Sequence, residues 1–125
     1  MQNFASFNSL SNAEQGGQVA QESPFSLTDR SGTITTANTA QQIAPANTKR
    51  RGFLVENPGN VLINQTLTAN THSFWVSDVS TAAKTPPSRE VAPGESYESP
   101  SGGCGTGQLS IIGTTDNQPF IAREW

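Results

Sequence analysis

Arg50-Arg51-Gly52-Phe53-Leu54-Val55-Glu56-Asn57-Pro58-Gly59-Asn60-Val61-Leu62-Ile63-Asn64 is the stretch whose reading decides the fold class. Gly52 to Val55 is a short apolar run, closed by Glu56. It is too brief for a helix and rich in residues that suit a pleated, half-buried surface. Asn57-Pro58-Gly59-Asn60 punctuates it. Proline presets φ at the second turn position and glycine accepts a positive φ at the third, which spells a type II turn. Val61 to Asn64 then resumes as a strand, expected to pair with the one before it.

The same texture extends in both directions. Upstream, Thr33-Ile34-Thr35-Thr36-Ala37 is β-branched, and Gln41-Gln42-Ile43-Ala44 is a second short strand, stopped by Pro45. Downstream, Ser73 to Ser77 carries Phe74-Trp75-Val76. Thr85-Pro86-Pro87 is a rigid connector that has no place inside a central strand. Ser88 to Val91 is short and extended, and Ala92-Pro93-Gly94-Glu95 repeats the Pro-Gly turn before Ser96-Tyr97-Glu98. Ser101 to Gly107 reads as a flexible glycine loop. Gln108 to Gly113 and Pro119 to Glu124 close the chain as two more strands. Only residues 11–22 leave room for a helical turn, and Gly16-Gly17 argues against a long one. Many short strands separated by turn signals predict an all-β fold, a β-sandwich or barrel. The side chains expected to fill its core are Phe53, Val55, Ile63, Val76, Leu109 and Ile111, which share the apolar phase of their strands.

Residues 1–30 differ. Gln, Asn, Ser and Gly dominate, with Phe4, Phe7, Leu10, Val19, Phe25 and Leu27 spaced among them. Such a composition builds no core of its own, yet a free tail has little use for several aromatics. The reading is an extended N-terminal arm over residues 1–30, able to hold a short strand, whose anchors Phe4, Phe7, Phe25 and Leu27 bind a partner surface. The domain proper then spans 31–125. The plain alternative is a floppy terminus.

Composition narrows the function. Hydrophobic residues make up 33% of the 125, charged residues 14%, and the net charge is −3, so the chain is polar without being a charged disordered tail. Uncharged polar side chains can meet another protein without the desolvation cost of buried charge. The acidic balance argues against nucleic acid, which requires a basic face. Lys49-Arg50-Arg51 is the one basic cluster. It reads as a strand entrance or a salt-bridge donor, with nucleic-acid contact as the alternative. No apolar run approaches the ~20 residues that span a membrane. Met1-Gln2-Asn3-Phe4 has neither the basic nor the apolar part of a signal peptide.

An enzyme is not expected. His72 is the only histidine and sits in a polar stretch, with nothing local to build a triad. One histidine and one cysteine do not make a transition-metal site, and no Asp-rich loop suggests calcium. Cys104, in Gly-Gly-Cys-Gly-Thr-Gly, lacks a neighbouring base or a following helix to activate it. The glycines there lack the Gly-Lys-Ser/Thr of a phosphate cradle. Glu56, Asp78, Glu95 and Glu98 read as residues that end or solubilise strands. No catalytic residue, metal or cofactor is expected. A carbohydrate-binding sandwich would need Trp75, Tyr97 and Trp125 clustered on one face as stacking platforms.

Four segments carry a resemblance. They are Arg50-Arg51-Gly52-Phe53-Leu54-Val55-Glu56-Asn57-Pro58, Phe74-Trp75-Val76-Ser77, Ala92-Pro93-Gly94-Glu95-Ser96-Tyr97-Glu98, and the ending from Thr106 to Gly113 through Phe120-Ile121-Ala122-Arg123-Glu124-Trp125. With Ala40 to Asn47 upstream, they resemble a family of small virion structural proteins of tailed bacteriophages. The better-understood members are similar to jelly-roll or sandwich cement proteins that clamp the outside of capsids built from HK97-like subunits. The resemblance implies a jelly-roll-like β-sandwich and a decoration (cement) role on the outer capsid surface of the virion, after synthesis in the host cytoplasm. The implied partners are the major capsid protein and the chain itself, as a dimer or trimer, with no nucleic acid and no membrane. A tail, neck or fibre-associated module is the competing role.

Overall fold

The computed structural model describes residues 26–59, 61–63, 66–68, 70–100 and 102–125, the side chains of 61–63 and 66–68 excepted. Among the expected anchors, Phe4, Phe7 and Phe25 therefore lie outside the described residues and Leu27 lies within them.

The described chain is all-β: two antiparallel sheets packed as a β-sandwich. Its strands are β1 (Thr28–Asp29), β2 (Gly32–Ile34), β3 (Gln41–Ala44), β4 (Phe53–Glu56), β5 (Val61–Ile63), β6 (Thr66–Thr68), β7 (Phe74–Ser77), β8 (Arg89–Val91), β9 (Ser96–Glu98), β10 (Leu109–Gly113) and β11 (Gln118–Glu124). One sheet has the order β8-β7-β10-β3. The other has the order β9-β4-β11-β1, with β2 also paired to the long β11. The chain crosses between sheets at β2–β3, β3–β4, β8–β9, β9–β10 and β10–β11, so most strands adjacent in sequence belong to opposite sheets.

Alternation fixes what is inside. In β4, Phe53 and Val55 point inward and are fully buried, while Leu54 and Glu56 face out. In β11, Gln118, Phe120, Ala122 and Glu124 are buried and Pro119, Ile121 and Arg123 alternate with them. Val76, Leu109 and Ile111 are buried as expected, joined by Ile34, Ala44, Phe74 and Val91. The Ile63 side chain falls outside the described set. Phe74 and Phe120 meet edge to face across the two sheets, their centroids 6.5 Å apart at 76°. Gly113 lies between Phe74 and Ile34. A Cβ there would come within 2.5 Å of Ile34 Cδ1, so the position has room only for hydrogen.

Three expectations are corrected. Val61–Ile63 does not pair with the preceding strand; it forms a separate hairpin with Thr66–Thr68. The reason is that β9 and β11 occupy both edges of β4. Nor is Asn57-Pro58-Gly59-Asn60 a type II turn, because Gly59 does not take a positive φ. The Asn57 backbone instead continues the ladder: its N–H donates to Glu95 O at 2.9 Å and its carbonyl accepts from Gly94 N at 2.7 Å. The second Pro-Gly signal behaves as expected. Gly94 has φ 86°, and Glu95 N donates to Ala92 O at 2.9 Å. Third, the Thr33–Ala37 strand ends at Ile34. The Gln41 side chain takes over, its amide nitrogen donating to Thr33 O and its oxygen accepting from Thr35 N. That side chain satisfies backbone groups on the free edge of β2 and so blunts it.

Candidate interaction surface and the root of the arm

The described chain enters the sandwich on the edge of β11. Thr28 and Asp29 pair with Glu124 and Arg123. The next residues continue the contact. Arg30 N donates to Ala122 O at 2.8 Å, and the Ser31 hydroxyl accepts from Ala122 N at 3.0 Å. Residues 28–30, expected at the end of the arm, are thus part of the sheet.

Beneath this edge lies a buried ionic network. Glu124, 2% exposed, accepts from Arg50 Nε on one carboxylate oxygen and from Arg30 Nε on the other, each at 2.7 Å. Arg50 is itself buried. Its two terminal nitrogens donate to Gly105 O, Gly107 O and Pro45 O at 2.7–2.8 Å. Nearly every guanidinium N–H is therefore used, as burial of this group demands. The basic cluster thus supplies a salt-bridge donor, one of the two bland roles expected of it. The network also holds the loop that the sequence presents as flexible. Gly105 N donates to Asp78 Oδ2 at 2.8 Å, and a Cβ on Gly105 would collide with Asp78 O.

Burial pushes the Glu124 carboxyl up, but the hydrogen bonds and charges of Arg50 and Arg30 outweigh it and hold the carboxyl below its usual range. The sign follows. Between the lowered and the ordinary value the unfolded chain binds more protons than the folded one, so stability falls as pH falls. Asp29 adds the same sign, its carboxyl lowered chiefly by the hydrogen bond from Ser31 N. Urea unfolding at several pH values is expected to show full stability above the ordinary carboxylate range and a steady loss below it. The Glu124→Gln chain, less stable throughout, is expected to lose less over that interval.

The outer face of this sheet is the candidate surface. One row crosses it in register: Asp29, Arg123, Leu54 and Glu98. Leu27 and Trp125 stand beside that row. Leu27, Leu54, Glu98, Arg123 and Trp125 enclose a groove of ≈ 290 Å³. A second depression of ≈ 230 Å³ shares Leu27 and Arg123 and reaches Ile121. Leu27 is 54% exposed. It is the one expected anchor in view, and it lines both depressions. Leu54 and Arg123 carry no surface expectation from the sequence, and Trp125 carries one only as a member of the three stacking aromatics. Leu54 offered a signal, since it is a large apolar residue in the outward phase of an alternating strand.

The other candidate residues do not converge. His72 is exposed; its carbonyl accepts from Asn57 Nδ2 and Gln118 Nε2, a structural role. Burial pushes the Cys104 thiol up, away from the reactive thiolate. Trp75 lies on the outer face of the opposite sheet, paired with Glu90 and Ile112. Tyr97 faces inward, edge to face with Phe53 at 5.3 Å. Trp125 lines the groove. The three aromatics do not share a face, so they form no stacking platform. Among the described residues no group of three or more His, Cys, Asp or Glu side chains is placed to hold a metal, and no helix is long and apolar enough to cross a membrane. Comparison with family models, with curated proteins and with solved structures found no match to this chain.

Proposed function

We propose that the chain is a capsid decoration (cement) protein of a tailed bacteriophage, a clamp that binds the outer surface of the head through its N-terminal arm and stabilises it. The observation that carries the clamp is the joint between arm and domain. The arm enters along β1, and Arg30 ties it through Glu124 to the buried Arg50, which in turn grips three loop carbonyls. A pull on the arm is resisted by the core of the sandwich rather than by a loose linker. An extended segment on such a mount can cover much partner surface, at the expense of its ordering entropy. Phe4 and Phe7 are the distal anchors in this reading. The partners are an HK97-like major capsid protein and further copies of the chain, as a dimer or trimer on the capsid. The capsid itself enters through the resemblance of the segments from Ala40 to Trp125.

Stoichiometry tests this reading. Quantitative mass spectrometry is expected to find the chain at a copy number comparable to the capsid lattice sites, both in virions and in DNA-filled heads without tails. A few copies, lost when the tail is lost, would assign the chain to a tail, neck or fibre part instead.

A further inference from the structure

We propose that the groove between Leu27 and Leu54 is the seat of the chain's own N-terminal segment, residues 1–25, with Phe25 as the side chain that fills it. The inference concerns the chain acting on itself and stands whether or not the protein decorates a capsid. The groove is apolar on three sides, Leu27, Leu54 and Trp125, and Arg123 sits in the row between Leu54 and β1. Large apolar side chains gathered round one concavity beside a guanidinium are the surroundings an aromatic ring takes: apolar contact at its edges and a cation at its face.

The occupant is identified by where the chain leaves. Residues 1–25 join the described chain at Ser26, beside Leu27 in the groove wall. Phe25 is two residues from Leu27, roughly 7 Å of extended chain. A ring tethered that closely has an effective concentration of about millimolar or higher, which no untethered partner matches without much stronger contacts. Charge does not decide the occupant: Arg123 and Glu98 both line the groove, and residues 1–25 contain Glu14 and Glu22 and no Lys or Arg, so the tether carries the choice. Seating Phe25 leaves Phe4 and Phe7, some twenty residues further out, free to reach another surface.

Trp125 reports on its own groove. In a Trp75→Phe background it is the single tryptophan, and its emission and acrylamide quenching can be compared in the full chain, in a chain lacking residues 1–25, and in Phe25→Ala. Loss of the segment and Phe25→Ala are each expected to shift the emission to the red and to raise quenching severalfold, at every protein concentration. Circular dichroism checks that the sandwich is intact; if the deletion unfolds it, Phe25→Ala in the full-length chain decides alone. Identical emission and quenching with and without the segment would overturn the proposal. So would an effect of deletion that Phe25→Ala does not reproduce. Protection that grows with concentration, in step with self-association by sedimentation, would place a second copy in the groove and overturn it as well.

Discussion

Replacing Arg50 with Ala lowers the unfolding free energy by about 3–5 kcal/mol, because it strands a buried carboxylate that loses one of its two cations. Glu124 keeps only Arg30, which is partly exposed and therefore screened. The loss does not end there. Pro45, Gly105 and Gly107 each lose a donor to their carbonyl oxygens. An orphaned buried acceptor costs about 1–3 kcal/mol, but Gly105 is half-buried and Pro45 and Gly107 are exposed, so water offsets part of this. This separates Arg50 from a simple ion pair. For a simple buried pair, exchanging both partners for apolar residues is often neutral or better. Here the double variant Arg50→Met, Glu124→Leu is expected to keep part of the loss, since methionine donates nothing to the three carbonyls. Denaturant titration of the single and double variants checks both statements. A double variant as stable as the parent would mean that the carbonyl contacts contribute nothing.

Phe53→Ala is the second large effect, again about 3–5 kcal/mol. Phe53 is fully buried, on the inner face of β4 and edge to face with Tyr97. Its loss leaves a cavity that two sheets pinned by their own hydrogen bonds close only in part. Both of its backbone groups are held by Ser99: the N–H donates to Ser99 Oγ and the carbonyl accepts from Ser99 N. The side chain can be deleted without freeing the strand, so the measured change reports packing. Phe53→Leu is expected to cost clearly less, since most of the volume remains. A Phe53→Ala loss below about 1 kcal/mol would place this residue outside the core.

The parts of the fold legible in the sequence are those that periodicity determines. Phe53, Val55, Val76, Leu109 and Ile111 alternate with polar or half-buried neighbours, and period two sends such residues to one face whatever the neighbouring strands are. Pairing partners are not encoded that way. The Pro-Gly signals after Glu56 and after Val91 look alike, yet only the second becomes the turn they spell. The first is overridden because Asn57 exchanges backbone hydrogen bonds with the second turn. Arg50 shows the same limit. Beside Lys49 and Arg51 it looks like one third of a solvated cluster, and only the arrival of Glu124, far along the chain, turns it into a buried anchor. The candidate surface was half legible. Leu27 stood out as an apolar residue in a polar stretch, while Leu54 and Trp125 join it only through the register of β4, β11 and β1.

The joint at Arg30, Glu124 and Arg50 matters for function only if the arm bears load, and that is the claim most open to direct test. The measurement is the occupancy of purified heads stripped of the protein and then titrated with the full-length chain or with a chain lacking residues 1–25. The truncated chain retains every described strand and is expected to fold. It is expected to bind the heads far more weakly and to leave them less resistant to heat, with Phe4→Ala, Phe7→Ala together giving part of the same loss. Truncated protein that decorates heads as tightly as the full-length chain, and protects them as well, would contradict the clamp.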